Sequence, residues 1–339
     1  MLAGLLLGAS SAWSQKEPYV PILSGGVGMF SSTNQGFTFM QPVLAPVLAL
    51  PLGPHVLVES RADLRGLFQQ NNNTGPFHGS FTGTLEYLQA DYIANRHLTI
   101  TAGRFLTPFG TYNERLTPIW IRNFQDAPLI FAIGTRTSGS SNGVMVRSNL
   151  YSSQRLSVDN TAFFSTNVAT GTFQSARAVG DRVNVYFPGK RLEVGASFER
   201  FLQSTPSERP HRNSGGVHLW WTPWRSPLQV RSEYAHGPHA EGYWVETGYR
   251  LSQFGGQDSW IGRFQPLFRM QQSFRLTPQP GDGLPSANTK QADFGFDYYL
   301  PHEVRLNTSY SRTFSTVNGN IWDISLTYRF LFPAWKGSR

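Results

Sequence analysis

Residues 304–312 read Val-Arg-Leu-Asn-Thr-Ser-Tyr-Ser-Arg and alternate apolar with polar side chains. Residues 322–330, Trp-Asp-Ile-Ser-Leu-Thr-Tyr-Arg-Phe, repeat this alternation. Successive side chains on a β-strand point to opposite faces, so each segment predicts a strand with one apolar face and one polar face that carries ionised groups. Further segments with this period lie at 56–65, 192–199, 228–233, 243–251 and 292–298. No long amphipathic helical pattern accompanies them, which predicts an all-β chain.

The composition excludes several classes of protein. The chain has 339 residues, of which 15% are charged and 14% aromatic, and this is not the composition of a disordered chain. Because there is no Cys, disulfides, c-type haem attachment and a Cys nucleophile are excluded. The net charge of +8 raises the question of nucleic acid. The basic residues alternate with acids at strand period and no recognisable nucleic-acid motif is present, so we expect no nucleic-acid partner.

The first residues resemble a targeting segment. Leu2 to Ala9 are mostly apolar, and the small residues Ala12 and Ser14 precede a plausible cleavage point before Gln15. We therefore expect residues 1–14 to be a secretory signal peptide and residues 15–339 to be exported. The alternative is a buried N-terminal strand or helix.

The links between the predicted strands favour a closed barrel. Short links marked by Pro or Gly alternate along the chain with generally longer polar links. This is typical of a transmembrane, antiparallel, up-and-down β-barrel, and we expect about 16 strands between Ile22 and Phe332. A soluble sandwich would show similar alternation, with its apolar faces turned into a core.

The segment 103–118 reads GRFLTPFGTYNERLTP and is followed by IWIRNF. With the alternating pattern around it, this segment resembles Gram-negative porins of the phosphate-selective porin O and P type. The resemblance implies a 16-stranded barrel, usually trimeric, that passes small solutes passively and carries a long loop folded into its pore. Members of that type use clustered lysines for anions, whereas this chain has only four, far apart.

The longest link, residues 107–140, is the natural candidate for the constricting loop. We predict constriction residues on it and at the end of the preceding strand, namely Arg104, Glu114, Arg115, Arg122, Asp126 and Arg136. The alternative is that the loop only covers the mouth of the barrel. For Arg104 two roles remain open, one in the pore and one as an ion-pair partner of Glu114.

The polar parity of each strand predicts the lining of the pore. Its basic members are Arg61, Arg65, Arg147, Arg182, Arg231, Arg250, Arg263, Arg269, Arg305 and Arg329. Its acidic members are Glu59, Asp63, Glu86, Glu193, Glu199, Glu233, Glu246, Asp293, Asp297 and Asp323. Rings of a single sign produce charge selectivity, so a balanced lining predicts little.

These features together predict an outer-membrane porin, a water-filled channel in the lipid of the outer membrane for small hydrophilic solutes and ions. A homotrimer and a monomer both remain open. The alternative is a non-conducting barrel that serves as a sheath or anchor for a partner such as an exported multihaem cytochrome. No G-x-S-x-G or H-E-x-x-H motif is present, and we expect no enzyme activity, no cofactor and no metal.

Overall fold

The computed structural model describes residues 19–70, 74–135, 139–168, 175–202, 212–279 and 281–333. The predicted signal peptide, residues 1–14, lies outside this part of the chain. Sixteen strands follow one another in the described residues. They are β1 (Ile22–Asn34), β2 (Phe37–Pro51), β3 (Val56–Gln70), β4 (His78–Asn95), β5 (Leu98–Leu106), β6 (Ser140–Ser152), β7 (Ser157–Val168), β8 (Ser175–Phe187), β9 (Leu192–Phe201), β10 (Arg212–Trp221), β11 (Leu228–His236), β12 (Ala240–Tyr249), β13 (Phe264–Arg275), β14 (Thr289–Tyr299), β15 (Val304–Phe314) and β16 (Gly319–Pro333).

The sheet closes on itself. Each strand pairs antiparallel with the next one in the chain, and β1 pairs with β16 from Ile22 opposite Pro333 to Asn34 opposite Ile321. Closure removes the unpaired N–H and C=O groups that an open edge would expose. The structure therefore confirms the predicted barrel, its strand number and its limits near Ile22 and Phe332.

The two faces of the barrel are distributed as in a membrane channel and opposite to a soluble sandwich. On β16, Ile324 is 53% exposed, whereas its neighbour Ser325 is only 4% exposed. On β15 the polar Arg305, Asn307 and Ser309 are likewise buried. The polar face thus lies inside the barrel and the apolar face outside, which overturns the alternative of a sandwich with an apolar core.

One irregularity changes the parity of a strand. The register between β3 and β4 shifts at Glu86, which lies between Leu85 opposite Ala62 and Tyr87 opposite Arg61. An extra residue of this kind exchanges the inner and outer positions along a strand. Glu86 forms an ion pair with Arg61, so both charges lie on the inner side.

The helical segments are short. Two α-helical turns, α1 (Tyr112–Arg115) and α2 (Ala132–Thr135), lie in the long link between β5 and β6. Short 3₁₀ turns occupy Pro188–Lys190 and Leu251–Phe254. Among the described residues, no helix has the length and apolar character needed to cross a membrane.

Candidate functional site: the barrel lumen and its inward loop

The long link, residues 107–139, begins and ends at neighbouring positions of the barrel wall, where its two ends form a narrow neck. Leu106 at the end of β5 pairs directly with Ser140 at the start of β6. The backbone N–H of Thr107 donates to the carbonyl of Gly139 at 2.9 Å, and the amide Nδ2 of Asn113 donates to the carbonyls of both residues. The neck ties the two ends of the link together, so the residues between them form one unit that folds against the inner wall.

The first turn of this loop is fixed to β9 and β11. The N–H of Gly110 donates to Oγ of Ser197 at 3.0 Å, and the N–H of Thr111 donates to Oε2 of Glu233 at 3.0 Å. Gly110 has a φ of 63°, and a Cβ at this position would collide with the carboxylate of Glu233. Glycine is therefore required where the backbone approaches the wall.

Glu114 on α1 is held by two guanidinium groups of the wall. Its Oε1 lies 2.7 Å from Nη2 of Arg147, and its Oε2 lies 2.5 Å from Nη1 of Arg182. Burial raises the pKa of a carboxyl group, but the positive charges of Arg182, Arg147 and Arg115 outweigh burial here and lower the pKa of Glu114. Glu114 is therefore ionised at neutral pH and binds the loop to β6 and β8.

Arg115, the next residue, contacts the wall at β9 and β10. Its Nη1 lies 2.8 Å from Oε1 of Glu193, and its guanidinium lies over the ring of Trp220 at 5.6 Å. The side chain remains 36% exposed, so it also faces the open part of the lumen. This pairing neutralises much of the charge that the sequence places on the loop.

The far end of the loop reaches the opposite side of the barrel. Ile119 packs against Phe30 of β1 and against Val43 and Ala45 of β2. The carbonyl of Ile119 accepts a hydrogen bond from Nη2 of Arg305 at 2.8 Å. This contact explains why β2 is apolar on both faces: one face lies outside the barrel, and part of the other is covered by the loop.

The returning chain is fastened to β12, β13 and β15. Nδ2 of Asn123 donates to Oε1 of Glu246 at 2.8 Å, and the carbonyl of Asn123 accepts from Nδ2 of Asn307 at 2.7 Å. Nη1 of Arg269 donates to the carbonyl of Asp126 at 2.9 Å. These polar contacts satisfy backbone groups that would otherwise be buried without partners.

An apolar cluster fills the space between the loop and the β11–β12 wall. Its buried members include Leu116, Ile130 and Ile133 of the loop and Trp244 of β12. The ring of Tyr112 meets Trp244 edge to face with centroids 6.3 Å apart, and burial raises the pKa of the Tyr112 hydroxyl. The loop thus contacts the wall along β6, β8–β13 and β15 and, through Ile119, also β1 and β2. In the described residues, its hydrogen bonds and ion pairs do not reach β3 or β4.

Many of the wall charges occur as ion pairs. Besides Arg61 with Glu86, the pairs in the described residues include Arg65 with Asp63 at 2.8 Å, Arg231 with Glu246 at 3.3 Å, Arg269 with Asp293 at 2.7 Å and Arg305 with Asp297 at 3.4 Å. Paired charges of opposite sign create a hydrated wall with little net field. Glu59 lies in the same sector as Arg61 and accepts a hydrogen bond from Nε2 of Gln89 at 3.4 Å.

Several of the predicted site residues lie apart from these contacts, and one of them, Arg263, lies in the link before β13. Arg104 pairs with Leu88 and shares the β5 face of Ile100, so it lies on the outward side. Arg250 follows β12 and lies over the ring of Tyr299 at 4.3 Å. Arg329 is exposed near the end of β16 and lies on the same face of the strand as the buried Thr327. The remaining one, Arg136, lies outside the described residues.

Sequence reasoning missed the neutral residues that position the loop. Ser197, Gln271 and Asn307 all bind loop atoms. Asn307 and Ser197 stand on polar strand faces, and this is the only signal that the sequence offers for them. Hydrogen bonds to a loop far along the chain cannot be derived from strand alternation.

Comparisons with known proteins agree with this architecture. The chain is similar to Salmonella typhi OmpF in complex with daunomycin, with a TM-score of 0.64 and 13% identity over 92% of this chain and 98% of that chain. A loop L8 deletion mutant of Vibrio cholerae OmpT gives 0.58 at 9% identity, over 92% and 100%. An anion-selective porin from Comamonas acidovorans gives 0.57 at 10% identity, over 91% and 99%.

At these identities the similarity shows the fold, which is that of the 16-stranded outer-membrane porins. No family model matches the chain, and no curated protein matches its sequence. The finer resemblance to the phosphate-selective porin O and P type therefore stays a prediction.

Proposed function

We propose that the protein is an outer-membrane porin that gives small hydrophilic solutes and ions passive passage across the bilayer. The observation that carries the proposal is the distribution of side chains on a sealed cylinder. Exposed apolar residues such as Ile324 cover the outside, and buried polar residues such as Ser325 cover the inside. A closed barrel of this kind satisfies every backbone group in hydrocarbon while enclosing water.

The loop between residues 107 and 140 supplies the sieve. Its hydrogen bonds and ion pairs fasten it to β6, β8, β9, β11–β13 and β15 but, among the described residues, not to β3 or β4, so solutes pass between the loop and the inner faces of β3 and β4. Arg147 and Arg115 face this passage with side chains 45% and 36% exposed. Size is selected by the gap that the loop leaves, because its anchors hold it in one position.

Charge selection in this passage is weak. Arg61, Arg65, Arg115 and Arg147 each have a carboxylate partner, so neither sign dominates the wall. Charge-selective channels use rings of one sign, which the described lining does not form. An apolar barrel exterior fits the lipid of the outer membrane, while monomeric and homotrimeric assembly both remain compatible with it.

The loop also bears on the alternative of a sheath around a partner such as a multihaem cytochrome. A sheath needs a lumen free of inward chain, whereas residues 107–135 here form hydrogen bonds with the inner wall from β8 to β15. The occupied lumen favours a channel for small solutes.

Among the described residues, no cluster of His, Asp or Glu is arranged to hold a metal ion.

Swelling of liposomes tests the proposal. Purified protein is reconstituted into vesicles, which are diluted into isotonic sugars of increasing size, from arabinose to raffinose. We expect rapid swelling with the smallest sugar and a steep fall with size, since the loop narrows the lumen. Equal, slow swelling with all sugars and with empty vesicles would contradict the proposal.

A further inference from the structure

A cavity of about 290 Å³ lies in the lumen, where the loop meets the parts of β1, β2 and β3 that are nearest the β1–β2 turn. Its wall side includes Phe30, Phe39 and Arg65, and its loop side includes Arg122 and Asp126. Phe30 and Phe39 lie on neighbouring strands, near the short turn that joins β1 to β2. A solute that enters the passage beside the loop therefore meets this cavity, which is lined both by rings and by charges.

Two guanidinium groups converge on the cavity from opposite sides. Arg65 comes from β3 and donates to Asp63 at 2.8 Å. Arg122 comes from the loop and takes part in none of the ion pairs found among the described residues, and its buried Nε has no hydrogen-bond partner there. Burial is the main cause that lowers the pKa of Arg122, and the charge of Arg65 acts in the same direction, whereas Tyr112 and Asp126 raise it. An arginine nevertheless keeps its charge at neutral pH, so these groups would be stabilised by an anion between them.

The rest of the lining limits what that anion can be. The ring of Phe30 lies 5.4 Å from the guanidinium carbon of Arg122, which orients the charged group beside an apolar surface. Leu67 and Ile321 extend this surface. The only carboxylate in the lining, Asp126, is exposed, and Arg65 is paired with Asp63, so Arg122 is the guanidinium of the lining that has no ion-pair partner among the described residues. The cavity thus combines a site for a single anionic group with a flat apolar wall.

We infer that this cavity is a solute-binding subsite for small aromatic carboxylates, with the carboxylate between Arg122 and Arg65 and the ring against Phe30 and Phe39. The inference rests on the proposed channel function and deepens it by naming a class of solute. Guanidinium groups match carboxylates through paired, charge-assisted hydrogen bonds, and aromatic rings pack favourably edge to face or offset.

Block of the ion current tests the subsite. The full-length protein is placed in planar bilayers in KCl, and benzoate, benzamide, acetate and inorganic phosphate are added in separate titrations. We expect benzoate to reduce the current at concentrations about tenfold below those needed with benzamide, because benzamide lacks the charge that makes the hydrogen bonds strong. Acetate and phosphate, which lack the ring, should also be weaker than benzoate.

Two variants and one control identify the residues. Arg122→Gln and Arg65→Gln should each raise the half-blocking benzoate concentration about tenfold, the cost of losing a charge-assisted bond, and leave a KCl current. Arg155→Gln removes the same charge from the turn between β6 and β7 and should not change the block. If one cavity variant fails to fold, as judged by its circular dichroism, the other carries the test.

The outcomes separate the subsite from the channel. Equal block by benzoate and benzamide, or unchanged block in both cavity variants with the KCl current intact, would overturn the subsite and leave the channel standing. Phosphate that blocks as well as benzoate would overturn the aromatic part of the inference. Folded wild-type protein without any KCl current would instead overturn the proposed function.

Discussion

Glu114 shows how one side chain joins the loop to the wall. Its carboxylate accepts from Arg147 on β6 and from Arg182 on β8, and Arg182 also donates to the carbonyl of Gly110 at 3.0 Å. Removing such a carboxylate leaves buried positive charge without compensation, which costs more than the pair contributes when intact. Glu114 is therefore the residue whose protonation should loosen the loop.

Acidification should release the loop only below the ordinary range of a glutamate. The pKa of Glu114 is lowered from 4.5, so its stabilising contribution is complete above about pH 4.5 and is lost as the pH falls through the lower value of the folded state. We expect steady single-channel currents from neutral pH down to this range and noisy currents below it. Glu114→Gln should be noisy already at neutral pH, and a quiet variant would contradict the anchoring role.

For single residues, strand alternation predicted in most cases whether a charged side chain faces the lumen or the outside. It did not predict the partner of that side chain. Strand parity placed Arg147 and Arg182 inside, and both bind Glu114. Arg104 was a candidate for the pore, but it lies on the same face of β5 as Ile100, and that face points outward. Alternation does not assign the face of a residue at the end of a strand when the strand continues into a loop.

Among the elements, the loop has the largest effect on the lumen. Because Leu106 and Ser140 pair directly, the two strands can be joined by a tight turn without the intervening residues. Its anchors lie on strands far apart in the chain, from Ser197 to Asn307. The loop is thus a separable insert whose contacts cross the interior.

Replacing residues 111–135 by a short Gly-Ser linker should raise the single-channel conductance severalfold. The physical reason is that the loop crosses the lumen, with contacts from β6 and β8–β13 to β1, β2 and β15, and water can replace these contacts with the wall. A deletion of residues 255–258 in the exposed link before β13 is the control and should leave the conductance unchanged. Equal conductance of loop-deleted and wild-type protein would show that the loop does not narrow the pore.

The sequence predicted the strands well because alternation is local, and the loop poorly because its contacts are not. Residues 42–53 are apolar on both parities, which is compatible with a strand whose second face is covered either by a loop or by a subunit contact. The structure assigns the cover to Ile119 and the neighbouring Trp120. A contact between residues so far apart follows from the closure of the barrel, which strand periodicity alone does not describe.

For the whole molecule, a channel function depends on which face of the barrel meets lipid. Ile324→Arg places a charge on the outside near the middle of β16 and should destabilise the protein by about 2–4 kcal/mol. Thr84→Arg, at an exposed position on the inner face of β4 opposite Asp63, enters the open lumen and should cost less. Equilibrium unfolding by urea in lipid vesicles measures both variants, and the opposite order would mean that the faces are reversed.

The single-channel current of purified, folded protein in a planar bilayer tests the central claim most directly. With a KCl gradient across the membrane, we predict ohmic steps and a reversal potential close to zero, since the charges lining the passage occur in pairs of opposite sign. A barrel that inserts and stays folded but passes no current would contradict the claim that water and ions cross its interior.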